Sequence, residues 1–213
     1  MPQENNSQKL NKTMQERIEN AERLQAQFEA EGWQRKDATV SYLTANLMLF
    51  VTGAPACILP ILLFLTVGER SVTDLFPRVF GGRPLFMFLA LAVSVPVHEF
   101  LHGVGFSFAC EQKWKSIRFG FHFASLTPYC HCREAIGIGS YYLALLLPCT
   151  VLGLLPAAAA VVTGIPELLG FGILNILLAS GDLAIALVLL KYIGKTCRVL
   201  DHPNQCGSIV FLR

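Results

Sequence analysis

The 213-residue sequence predicts an all-α membrane protein: four transmembrane helices, a short β strand or hairpin between helices two and three, and an N-terminal soluble amphipathic helix. Three observations carry that prediction. Only 15% of the residues are charged and 53% are hydrophobic, with a mean hydropathy of +0.49, whereas an ordinary soluble domain is about 25% charged. Four apolar runs are each long enough to cross a bilayer, which takes roughly 20 residues of helix. Between the second and third runs the apolar residues fall at every second position, the spacing of a strand. The chain divides into a cytosolic N-terminal extension, residues 1–37, and a four-span membrane domain, residues 38–213.

In the extension, Leu10, Met14, Ile18, Ala21, Leu24 and Phe28 recur at helical spacing among charged residues, predicting an amphipathic helix from Ser7 to Glu31. Gly32 is its expected stop and Trp33 an expected interfacial anchor. Span one covers Val40 to Val67, with Gly53, Pro55 and Pro60 placed to bend it. Span two covers Leu85 to Cys110. After it, Ile117, Phe119, Phe121 and Phe123 alternate with Arg118, Gly120, His122 and Ala124, and Thr127-Pro128-Tyr129 breaks the pattern. Span three covers Ile138 to Val162, with Pro148 and Pro156 inside it, and span four covers Leu168 to Ile193.

Arg35, Lys36, Lys113, Lys115, Arg118, Arg133, Lys191, Lys195 and Arg198 fall on one side of these spans. Arg70, Arg78 and Arg83 fall on the other, and that imbalance places both termini in the cytosol. No secretory signal precedes span one, which is expected to act as its own insertion signal. The net charge is +2 without basic blocks, which argues against a nucleic-acid partner. Seven cysteines, four of them in or at the ends of apolar runs, argue against a disulfide framework.

The chemistry lies in span two. In His98-Glu99-Phe100-Leu101-His102 the two histidines are four residues apart, so on a helix both imidazoles leave one face and can grip one metal ion. Glu99 lies beside that face, where it can take a proton from metal-bound water and hand it to a leaving amine. Ionisable side chains at bilayer depth are expensive, and their presence points to function. A catalytic zinc usually has three protein ligands and an open position for water. Spans two and four run in the same direction, and His98 and Asp182 each lie about a dozen residues in, roughly 20 Å at the helical rise. Asp182 is also the charged residue inside span four, which makes it the expected third ligand.

These residues resemble the intramembrane metalloproteases of the site-2 protease type. More closely, they are similar to a bacterial family of four-span membrane proteins described as putative zincin peptidases. The resemblance runs from His98-Glu99-Phe100-Leu101-His102-Gly103 through Phe119-Gly120-Phe121, Thr127-Pro128-Tyr129-Cys130 and Pro148 to Gly181-Asp182. It implies a zinc-dependent peptidase of the bacterial cytoplasmic membrane, with Zn2+ held by His98, His102 and Asp182 and Glu99 as general base. Site-2 proteases carry an Asn and a Pro shortly before a Leu-Asp-Gly. Here Asn175 is followed by no Pro, and Gly181 precedes the acid.

The expected function is therefore hydrolysis of peptide bonds, in the membrane or at its surface, by a metal-activated water. The substrate is a membrane protein or peptide. The strand carrying Phe119 and Phe121 is expected to hold it extended, and Asn175 either polarises its carbonyl or bonds across helices. The alternative is a transporter, a metal-binding membrane protein or an inactive scaffold using the same polar cluster without hydrolysis. Cys130-His131-Cys132 with His122 is a candidate for a separate metal site, although Cys-x-Cys is not a usual zinc spacing. Asp201-His202-Pro203 either approaches the site from the cytosol or forms a surface turn.

Overall fold

Helix α1, Pro2–Ala30, ends where Gly32 takes a left-handed φ of +84° and the Trp33 amide donates to the Phe28 carbonyl at 2.9 Å. That bond reaches back five residues and closes the helix end. Its apolar stripe has a defined partner: Ala21, Leu24 and Phe28 pack on Leu200, Ile209 and Phe211, with the Phe28 and Phe211 rings stacked at 4.5 Å. The computed structural model describes residues 2–41, 44, 47–68, 71, 84–122 and 127–213. Arg70, Arg78, Arg83 and Phe123 lie outside the described residues.

Strand β1, Gln34–Val40, follows the first turn of the chain. A π-helical turn, Leu49–Gly53, leads into α2, Ala54–Val67. Helix α3, Pro84–Ala109, is followed by a hairpin of β2, Ile117–His122, and β3, Thr127–Cys132, paired antiparallel with Ile117 opposite Cys132. Strand β4, Ile136–Gly137, opens into α4, Ile138–Pro148. A π-helical stretch, Cys149–Leu154, joins α4 to α5, Leu155–Thr163. Helices α6, Pro166–Leu178, and α7, Ser180–Leu189, precede strands β5, Cys197–Asp201, and β6, Cys206–Leu212.

Among the described residues three helical segments are long and apolar enough to cross a membrane: Leu49–Val67, Pro84–Ala109 and Ile138–Thr163, with mean hydropathies of 2.2, 1.7 and 2.3. The pair Pro166–Leu178 and Ser180–Tyr192 qualifies as a fourth if taken together, but it is bent by 50°. Outward-facing side chains on these helices are large and apolar, Phe50, Leu85, Phe88, Leu143 and Val162 among them. On a soluble protein such a surface would be an aggregation hazard; it suits helices that face lipid.

Two features differ from the sequence expectation. A four-stranded antiparallel sheet of order β1-β6-β5-β4 joins the N-terminal extension to the C-terminal tail, with Gln34 opposite Leu212 and Val40 opposite Cys206. Among the described residues the expected hairpin is therefore one of two sheets. The expected continuous fourth span is instead broken at Ala179, whose φ of −80° and ψ of 6° leave the helical region. The core unites the layers: Phe106, Tyr141, Ala144 and Leu189 from the helices meet Ala38, Ile136, Val199 and Val210 from the sheet.

Candidate metal centre

Helix α3 presents His98 and His102 on one face, as the i, i+4 spacing requires. Their rings lie 4.9 Å apart and nearly perpendicular, at 78°. The break at Ala179 places Asp182 in the first turn of α7, opposite that face. At a helix start the unpaired amides and the positive end of the dipole favour a carboxylate. Asp182 Oδ2 lies 2.9 Å from His98 Nε2, and Oδ1 lies 3.4 Å from His102 Nε2. One ligand atom from each of the three residues falls within 4.8 Å of the others.

His102 is positioned from behind. Its Nδ1 donates to the Ala144 carbonyl at 3.0 Å, which leaves Nε2, on the Asp182 side, as the nitrogen that would ligate a metal. Two glycines of α3 permit close approach around it. A Cβ on Gly105 would lie 2.5 Å from Ala144 Cα, and a Cβ on Gly103 would lie 2.4 Å from the Phe119 ring. Bare backbone at these positions lets α4 and β2 close on α3. Glu99 accepts a hydrogen bond from the Cys130 amide at 2.7 Å, which ties it to the edge of β3.

Two imidazoles and a carboxylate, with one histidine tautomer fixed by a backbone carbonyl, form a zinc donor set of the catalytic kind, three ligands with room for a fourth. The chain's own geometry thus fits that ion. Among the described residues His98, His102 and Asp182 are the one group of three or more His, Cys, Asp or Glu residues so gathered. Cys130, His131 and Cys132 are not gathered that way; Cys132 Sγ lies 3.2 Å from Cys110 Sγ, and all seven cysteines are free.

Glu99 borders two cavities. One, of about 140 Å³, is lined by Ser94, His98, Pro128 and Asn175 among others. The other, of about 310 Å³, is shared with His102, Asp182, Arg17, His131 and Asp201. Asn175 donates its amide to the Phe171 carbonyl of its own helix at 2.9 Å, while its Oδ1 is buried without a partner. Phe119 packs near Trp114 and Gly103, and neither it nor Phe121 lines the two cavities. The hairpin backbone that meets Glu99 belongs to β3.

Asp201 also faces the larger cavity. Its carboxylate accepts from the Tyr141 hydroxyl at 2.6 Å and from the Cys132 amide at 2.7 Å. His202 forms a turn, its Nδ1 accepting from the Gln205 amide at 3.0 Å. Arg17 and Tyr129 are cavity residues that pattern reading missed. On the sequence Arg17 is one more charge on an amphipathic helix, and nothing in its spacing marks it.

Two histidines of an HExxH helix and a carboxylate from a second apolar helix thus form a candidate metal centre. The profile of the family described as "putative zincin peptidase" matches residues 91–197, half of the chain, and the chain belongs to that family. The family implies a zinc metallopeptidase. No curated protein and no solved structure matches the chain.

Proposed function

We propose that the chain is a zinc metallopeptidase working within the membrane or at its surface, with His98, His102 and Asp182 as ligands and Glu99 as general base. The observation that carries the reading is the convergence of the three ligand atoms within 4.8 Å, from two apolar segments far apart in sequence. When bound, zinc supplies a Lewis acid and lowers the pKa of water to near neutrality. Glu99 accepts the proton of the attacking water and delivers it to the amine that leaves. The Cys130 amide orients the carboxylate for both transfers. Ala144 fixes the His102 tautomer, and Asp182 neutralises charge between the two imidazoles. Asn175 borders the smaller cavity beside Glu99, and the second N–H of its amide, the one not given to Phe171, is the donor available to a substrate carbonyl oxygen.

The substrate is a membrane protein or peptide, lying extended against the β2–β3 hairpin, because a carbonyl inside a helix is closed to attack. The four-span topology has support from the sheet. Strands β1, β4 and β5 share one sheet and so one side of a bilayer. Two crossings, α2 and α3, separate β1 from β4. The return from β4 to β5 then needs the bent α6–α7 pair to cross as well as α4–α5. The basic residues Arg35, Lys36, Lys195 and Arg198 cluster on this sheet side, which supports a topology with both termini in the cytosol of a bacterial cell.

The test is Glu99→Gln. The variant should keep its zinc and lose turnover by about 10²- to 10⁴-fold, the range for loss of a positioned base. Turnover at the parent rate would remove Glu99 from the chemistry.

A further inference from the structure

Arg17 is the residue with a permanent positive charge among those lining the cavity shared with Glu99, His102 and Asp182. Its Nε and Nη2 are buried and without a hydrogen-bond partner. Buried donors are nearly always paired, and a guanidinium cannot shed its charge to escape the penalty. These two nitrogens form one edge of the guanidinium, the edge that grips a carboxylate by two parallel N–H···O bonds.

The side chain sits on a built seat. The guanidinium carbon lies 4.1 Å from the centroid of the Tyr129 ring. That ring in turn lies over Gly120, where a Cβ would come within 2.3 Å of Tyr129 Cζ. The seat exists because residue 120 has no side chain. From above, α1 is anchored to the sheet by Ala21, Leu24 and Phe28, and Asn20 Nδ2 donates to the Arg133 carbonyl at 2.9 Å. The residue after Tyr129 is Cys130, whose amide holds Glu99, so one peptide unit links the seat to the proposed base.

Every carboxylate lining this cavity is already engaged. Asp201 is held by Tyr141 and Cys132, Asp182 by the two histidines, and Glu99 by Cys130. Burial pulls the His131 pKa down to about 4, so that imidazole is neutral at pH 7 and leaves Arg17 to meet an anion. At about 310 Å³ the cavity is at the small end for a ligand site, room for a short chain end.

We propose that Arg17, seated on Tyr129, is the anion subsite of this enzyme and binds a carboxylate of the peptide substrate, the free C-terminal carboxylate foremost. The inference rests on the peptidase reading above and adds a substrate class to it. Residue 17 lies outside the part of the chain that defines the family, residues 91–197, so the preference belongs to this chain's own extension.

The test uses the full-length, zinc-loaded Glu99→Gln protein in lipid nanodiscs, which binds without cleaving. Three dye-labelled apolar hexapeptides are titrated by fluorescence anisotropy: a free acid, its C-terminal amide, and the amide with glutamate as last residue. The free acid should bind about tenfold or more tighter than the plain amide, the size of a charge-assisted pair. Adding Arg17→Gln should erase the difference while zinc content and amide affinity stay put, and Arg17→Lys should restore part of it. Tight binding of the glutamate amide would assign the carboxylate to a side chain rather than a chain end. Equal affinity for acid and amide, or a preference that survives Arg17→Gln, overturns the subsite. If Arg17→Gln binds no peptide, Arg17→Lys decides: weakening confined to the acid supports the subsite, and any other pattern overturns it. Cleavage by the Glu99-containing chain without an acid preference removes the subsite and leaves the peptidase. An Arg17-dependent preference without any cleavage removes the peptidase and leaves the subsite.

Discussion

His131 shows how a single buried side chain sets an acid limit on this fold. It is 5% exposed, and burial, with help from the Arg17 and Arg133 charges, pulls its pKa from 6.5 to about 4 against the opposing pull of Asp201 3.8 Å away. The unfolded chain takes up this proton near pH 6.5 and the folded chain only near pH 4. Between those values the unfolded state binds more protons, so the contribution to stability is full above pH 6.5 and fades as pH falls toward 4. His131→Gln removes the titration. Thermal melts at neutral and acidic pH should show the parent losing more stability on acidification than the variant; equal losses would contradict the assignment. The paired histidines of the candidate metal centre were legible at this same scale, because i, i+4 spacing on a helix is a local property. Arg17 was not, since its partner ring and its cavity come from β3 and α3 and are gathered only by the tertiary fold.

The elements place the site through close approach. The α3–α4 contact at Gly105 has no flexible side chain to yield, because the atom a Cβ would meet is Ala144 Cα. Gly105→Ala should therefore part the helices at a cost of about 1–3 kcal/mol. It should also draw the Ala144 carbonyl off His102 Nδ1, and loss of such an outer contact weakens a metal by about 10–100-fold. Chelator competition measures this directly, and an unchanged zinc affinity would show that the carbonyl does not hold the ring. Three of the four apolar runs are helices long and apolar enough to cross a membrane, and the fourth is a bent pair. The four-stranded sheet escaped the reading for a physical reason. Gln34-Arg35-Lys36-Asp37 gives β1 a polar, loop-like start, and its partner Cys206–Leu212 stands at the opposite end of the chain. The break at Ala179 was equally hidden: no Pro interrupts the fourth apolar run there, and only packing shows that the run bends.

At the scale of the whole molecule, the sheet closes the chain on itself. Helix α1 packs on strands from the C-terminal tail, and β1 pairs with β6 along seven residues, so both ends lie on one side of any bilayer the helices cross. Reporter domains fused at the two termini should report the same compartment. One inserted after Gly164, the left-handed stop of α5 with a φ of 76°, should report the opposite one. Two termini in different compartments would contradict the four-crossing topology and with it the shared depth of His98 and Asp182.

The proposed peptidase stands on a single ion held by nitrogens from one helix and an oxygen from another. Metal analysis with X-ray absorption on the purified full-length protein tests it most directly. It should find one zinc per chain with nitrogen and oxygen ligands at about 2.0–2.2 Å, and Asp182→Ala should lower that stoichiometry. A protein that takes up no zinc, or one that keeps a full complement when Asp182 is removed, would contradict it.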